Sequence, residues 1–112
     1  MDRREAIRTA LGEEAPDLVL KHARLVDVLT GTVYPADVAI RDGVIAGVGD
    51  NRGPAEVDLG GRYLAPGLIN AHCHVESSMA LPRAYCPEEL RWGVTTLITD
   101  PHEIANVCGG EG

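Results

Sequence analysis

The sequence predicts an α/β chain in two parts. A small β-meander or sandwich unit occupies residues 1–64, and the opening βαβ unit of a larger α/β fold occupies residues 65–112. Three observations carry this reading. Two alternating apolar runs flank Asp42-Gly43, the residue pair that favours a two-residue type I′ hairpin. After Pro66-Gly67 the pattern becomes strand, helix, strand, as in a βαβ unit. Both of those strands run into polar, chemistry-bearing residues, His72-Cys73-His74 and Asp100-Pro101-His102-Glu103.

Residues 2–11 read as a first helix. Asp2 can cap it, Glu5 stands three residues on as in a capping box, and Gly12 stops it. Ala6, Ile7, Ala10 and Leu11 make its apolar stripe. Residues 18–28 read as a strand, and Thr30-Gly31 marks a turn. Residues 37–41 alternate with Val38 and Ile40 on one face, and residues 44–48 alternate again. Residues 50–54 form a loop, and residues 56–64 a short strand interrupted by Gly60-Gly61. Residues 68–71 are an apolar strand, expected to be buried on both faces as in a parallel sheet. Residues 82–91 look helical, with Pro87 and Glu88-Glu89 expected in the first turn and Gly93 closing it. Residues 94–99 form the second β-rich run.

Composition narrows the function classes. The 112 residues are 45% apolar and 24% charged, the balance of a soluble globular chain. With three Tyr, one Trp and no Phe, the core must rest on aliphatic side chains. Ten Lys plus Arg against 17 Asp plus Glu give a net charge of −7, which argues against nucleic acid or an anionic membrane as partner. No apolar run approaches the roughly 20 residues of a membrane span, and the charged N-terminus does not read as a signal peptide. Cys73, Cys86 and Cys108 lack C-x-x-C spacing and read as reduced thiols of a cytoplasmic protein.

His72 and His74 are candidate metal ligands. On a strand, residues i and i+2 point to one side, whereas on a helix they diverge by about 200°. The competing reading is two solvated or core-packed histidines; the apolar strand before them and Glu76-Ser77-Ser78 after them favour ligation. Asp100, His102 and Glu103, at the end of the second strand, could bind metal, position substrate or relay protons. Against that stands simple capping by Asp100 of a helix opening at Glu103. Cys73 points away from the two histidines and reads as core. His102-Glu103 begins an H-E-x-x-H motif, but Asn106 stands where the second His is required.

These residues carry a resemblance. The run from Pro66 to His74, PGLINAHCH, resembles the first barrel strand of the amidohydrolase superfamily, P-G-[LF]-[IV]-[DN]-x-H-x-H. HVESSM at 74–79, GVTT at 93–96 and DPHEIANV at 100–107 are similar to the adenine deaminase branch. The upstream DVLTG and DVAIRDGVIAGVG segments resemble the small β domain that precedes the barrel, so the likeness runs from about residue 17 onward. It implies that residues 65–112 are the first strands of a (β/α)₈ metal-dependent hydrolase barrel. The implied reaction converts adenine, a small purine base, to hypoxanthine and ammonia. The implied cofactor is a divalent metal, dinuclear in the full enzyme, as manganese or iron with zinc as a third option. His72 and His74 would be its first-strand ligands. Glu76, Asp100, His102 and Glu103 would lie on the active-site face with roles unassigned.

A whole barrel takes roughly 250 residues, so the expectation is an N-terminal piece, inactive alone. A severed βαβ unit leaves an unpaired sheet edge and favours self-association into a homo-oligomer. Two other readings stand beside this one. The chain could come from another amidohydrolase of the dihydroorotase or deacetylase type, or be a stand-alone β module with a vestigial metal motif.

Overall fold

The computed structural model describes residues 2–109. Residues 1 and 110–112, at the outer ends of the two predicted parts, and the side chain of Cys108 lie outside the described residues. The chain divides into two compact units, one ending at Pro66 and the next beginning at Gly67.

In the first unit, helix α1 (Arg3–Ala10) begins where its sequence says it should. Asp2 Oδ1 accepts from the Arg4 N–H at 2.9 Å, and Glu5 Oε2 accepts from the Asp2 N–H at 3.0 Å. This reciprocal capping box satisfies donors that a helix start otherwise leaves unpaired. Strands β1 (Leu18–Asp27), β2 (Thr32–Arg41) and β3 (Val44–Gly49) then form an antiparallel meander. Asp42 and Gly43 sit at φ 49° and 72°, the paired positive values a type I′ turn requires.

The meander stops at three strands. Strands β4 (Glu56–Asp58) and β5 (Tyr63–Leu64) do not continue from β3; both pair in parallel with β1 on its other side. A parallel return needs a crossover, and residues 50–55 supply it.

A buried carboxylate ties that crossover to the sheet. Asp37 on β2 is 7% exposed. It accepts the His22 N–H at 2.9 Å, the Asn51 N–H at 3.3 Å, and the Lys21 ammonium, which itself donates to the Asn51 carbonyl at 2.8 Å. The register of β1 slips between Leu20 and Ala23, where His22 takes φ 52°. Asp37 thus holds a bulge in β1 and the crossover loop at once.

Part of the core lies on the helix side of the sheet, and Val38 is buried on the other face. Val19, Ala39 and Gly47 line up across β1, β2 and β3. Val19 and Ala39 are almost wholly buried. A Cβ on Gly47 would stand 3.7 Å from Ala10 Cα, so this row of small residues lets α1 lie close against the sheet. Arg41 fastens the helix and the segment after it, donating to Thr9 Oγ1 at 3.4 Å and the Ala15 carbonyl at 3.1 Å and pairing with Glu14 at 2.9 Å. On the other face Leu20, Val38, Val48, Ile40 and Ile45 line an open apolar groove of about 460 Å³.

The second unit runs β6 (Leu68–Cys73), a 3₁₀ turn (Val75–Ser78), α2 (Pro82–Arg91), β7 (Val94–Thr99) and α3 (His102–Cys108). β6 and β7 pair in parallel, as the strand–helix–strand reading requires. Gly67 is demanded by packing: a Cβ there would fall 2.1 Å from Thr95 Oγ1.

Two expectations need correction. Pro82, not Pro87, opens α2; Pro87 sits inside the helix. Proline at the first helical position loses no hydrogen bond, so Pro82 takes that place, and Pro87 forfeits one internal bond. Tyr85 Oη donates to Glu89 Oε1 at 2.5 Å across one turn, and Asn70 Nδ2 on β6 reaches the same oxygen at 3.4 Å. These bonds hold the helix across that gap. β6 is also not buried on both faces. Leu68 and Ile69 are mainly exposed, because among the described residues only β7 pairs with it. No helix among the described residues is long and apolar enough to cross a membrane. Cys73 and Cys86 are free thiols.

Candidate metal centre

The register of the second unit decides what meets at its strand ends. Cys73 pairs with Thr99, so the chain leaves both parallel strands side by side. His74 follows with extended backbone at the start of the 3₁₀ turn, in which Val75 is buried. From the neighbouring strand, Asp100 and Pro101 lead directly into His102 at the start of α3. One ligand atom each from His74, Glu76 and His102 lies within 4.8 Å of the other two. His74 and Glu76 are half-buried and His102 is exposed.

Glu76 carries the electrostatic signature of the site. Its Oε1 accepts the Glu103 N–H at 3.2 Å. Its Oε2 is buried and has no hydrogen-bond partner among the described residues. A buried carboxylate oxygen without a partner is costly, and a cation between two imidazoles would satisfy it. Two imidazole nitrogens and one carboxylate oxygen are a donor set that suits zinc, iron or manganese. The residues therefore fit the group that the H-x-H motif suggested.

The other expected residues surround this cluster. The His72 ring stands edge-on to that of His74, centroids 4.9 Å apart, and His74 meets His102 the same way at 5.3 Å. His72 is exposed and falls outside the group of three. β6 carries one residue more than β7 between Asn70 and Cys73, and such a bulge re-aims side chains at a strand's end. Asp100 does not cap α3, which starts from Pro101 without a side-chain cap. Its carboxylate instead lies 3.2 Å from His102 Nδ1. Glu103 contributes through its main-chain N–H. Every member of the cluster was visible in the sequence; the grouping of Glu76 with His74 and His102 was not, because it needs the strand pairing.

Comparison with known proteins gives the same direction. No family model matches the chain. Adenine deaminase of Desulfitobacterium hafniense strain Y51 is 46% identical over 111 residues, 99% of this chain and 20% of that protein. Adenine deaminase 2 of Desulfotalea psychrophila is 51% identical over 106 residues, 95% of this chain and 18% of that protein. The adenine deaminase of Dehalococcoides mccartyi strain CBDB1 is 51% identical over 109 residues, 96% and 19% of the two chains.

Among solved structures, N-acyl-D-glutamate deacylase from Bordetella bronchiseptica, complexed with zinc and a phosphonate inhibitor, matches with a TM-score of 0.60 at 29% identity. That match covers 77% of this chain and 19% of the deacylase. L-Hydantoinase from Arthrobacter aurescens matches in fold, with a TM-score of 0.53 at 24% identity over 76% of this chain and 20% of that one. The chain spans about a fifth of the length of the curated relatives it matches. Over that length it is homologous to the N-terminal part of the adenine deaminases, on an amidohydrolase-type fold.

Proposed function

We propose that this chain supplies the first metal-binding elements of an adenine deaminase, which hydrolyses the exocyclic C–N bond of adenine to give hypoxanthine and ammonia. The observation that carries the reading is Glu76, which groups with His74 and His102 and whose buried Oε2 has no hydrogen-bond partner among the described residues. Homology supports the substrate class: identity is 44–51% to adenine deaminases against 29% to the deacylase.

A divalent ion, when bound, would supply water activation, lowering the pKa of the water that attacks the amino-bearing ring carbon, while the electron pair displaced from the C=N bond goes to the adjacent ring nitrogen, which takes up a proton. The chain's own residues set the site. His74 and His102 offer neutral nitrogen donors, and Glu76 brings the negative charge. The Glu103 N–H fixes one oxygen of Glu76 and leaves the other free to ligate. His72, beside His74, is the next donor in reach and would take part in the dinuclear centre that the family resemblance implies, with manganese or iron ahead of zinc. The remaining assignments of this reading are a purine base as substrate, no nucleic-acid partner, a cytoplasmic location and assembly into a homo-oligomer. The 112-residue chain alone would not deaminate adenine, since its ligands come from only two strands.

Two measurements test this. Calorimetric titration with Zn²⁺ and Mn²⁺ should show binding that His74→Ala, Glu76→Ala and His102→Ala each weaken at least tenfold, the usual order for loss of a ligand or its support. Zn²⁺ should bind more tightly than Mn²⁺, following the general affinity order. The gene product that contains this chain should release ammonia from adenine. Binding that survives all three substitutions, or a product inert towards adenine, overturns the proposal.

A further inference from the structure

His102 has two ring nitrogens, and the structure commits one of them. Nδ1 lies 3.2 Å from Asp100 Oδ2 and 3.1 Å from the Asp100 carbonyl oxygen. An ionised carboxylate and a carbonyl are acceptors only. A neutral imidazole facing two acceptors with one nitrogen keeps its proton there, so Nδ1 donates and Nε2 retains the lone pair.

The Asp-Pro-His sequence builds this arrangement. Pro101, at φ −82°, holds the turn between the two residues, and its ring restricts φ. The carbonyl oxygen and Oδ2 of Asp100 are both presented to His102 Nδ1. Asp100 makes no capping bond that would occupy it otherwise.

We infer that Asp100 is a positioning residue, holding His102 in the Nδ1–H tautomer so that Nε2 is its ligating atom. This role rests on the metal reading of His74, Glu76 and His102, but the tautomer itself requires no metal. Carboxylates behind metal-ligating histidines are worth about 10–100-fold in metal affinity. The Asp100 and His102 side chains are 72% and 52% exposed, so water competes and the effect belongs at the low end, about tenfold.

The test uses the chain with two readouts. Long-range ¹H–¹⁵N spectra of the metal-free protein, taken above the histidine titration range, report the tautomer of each ring. His102 should be Nδ1–H in the wild type. Asp100→Ala keeps the main-chain carbonyl acceptor and removes the carboxylate, so the ring should shift part of the way towards Nε2–H, and Asp100→Asn, whose amide oxygen still accepts, should return it. Zn²⁺ titration should show about tenfold weaker binding for Asp100→Ala and recovery of most of that loss in Asp100→Asn. A wild-type His102 protonated on Nε2, or a tautomer unmoved by Asp100→Ala while Zn²⁺ still binds, overturns the positioning role alone. Absence of Zn²⁺ binding in the wild type overturns the metal reading, whatever the tautomer.

Discussion

Replacing Asp37 with alanine should unfold much of the first unit. The carboxylate is buried and collects two main-chain donors, His22 N–H at 2.9 Å and Asn51 N–H at 3.3 Å, as well as the Lys21 ammonium. A hydrogen bond to a charged group is worth about 1.5–3 kcal/mol. The two main-chain bonds, taken at the low end because interactions sharing one acceptor are not additive, set the loss at about 3 kcal/mol. Domains carry roughly 0.05–0.15 kcal/mol of stability per residue, so this is a large share of what a unit ending at Pro66 can hold. Urea unfolding followed by far-ultraviolet circular dichroism should give a much lower midpoint for Asp37→Ala. Asp37→Asn, which keeps an acceptor, should fall between. An unfolding free energy for Asp37→Ala within about 0.5 kcal/mol of wild type, the usual range of an inconsequential surface change, would refute the argument. The same group sets an acid limit. Burial pushes its pKa up, but the bonds from Lys21, His22 and Asn51 outweigh burial and hold it below the ordinary carboxylate range. Its folded pKa is therefore depressed. The stability it contributes is present above the unfolded value near 4 and is lost as pH falls through the folded one, a dependence Asp37→Ala should lack.

Gly67→Ala should disrupt the pairing of β6 with β7, since the new Cβ would meet Thr95 Oγ1 at 2.1 Å; amide exchange at Ile69 and Leu97 should accelerate, and Thr95→Gly in the same chain should restore protection. Tyr85 is pushed up to about 12 by its hydrogen bond to Glu89, with burial and the Glu89 charge adding to it. Glu89→Gln should lower the tyrosinate transition towards 10, read by ultraviolet titration against Tyr34 and Tyr63; no movement would mean the bond is absent. Lys21, raised chiefly by its bond to Asp37, contributes stability that is present below its unfolded value near 10.5 and fades as pH rises through the folded one. Lys21→Met should therefore be less stable than wild type at neutral pH, with the difference narrowing as pH rises through the alkaline range; a difference that does not change with pH means the pair does not couple.

Local chemistry made part of the fold legible. The Asp2–Glu5 box and the Asp42-Gly43 turn each act over two to four residues, and each forms as read. The return of β4 and β5 to β1 was not legible. Its organising group, Asp37, reads in sequence as one polar residue opening a strand. Its partners lie 14 to 16 positions away, on a bulge and a loop. Pro87 misled for a related reason. Two prolines five residues apart both suit a helix start, and the choice of Pro82 goes with the bonds from Tyr85 and Asn70 to Glu89, only one of which is local.

The metal cluster is a property of register more than of motif. An i, i+2 pair on a strand announces that two imidazoles can sit near each other, and the His72 and His74 rings do. It does not announce which other residues arrive. Cys73 against Thr99 brings the segment after His74 alongside the segment after Asp100, so Glu76 meets the Glu103 N–H and His74 meets His102. Moving either strand by one residue would turn alternate side chains to the opposite face and separate these groups. Gly67 against Thr95 fixes the start of the same pairing. A site made of sequence neighbours would survive such a slip. This one would not, so a change at Gly67 should weaken metal binding even though the residue lies at the far end of β6 from every ligand.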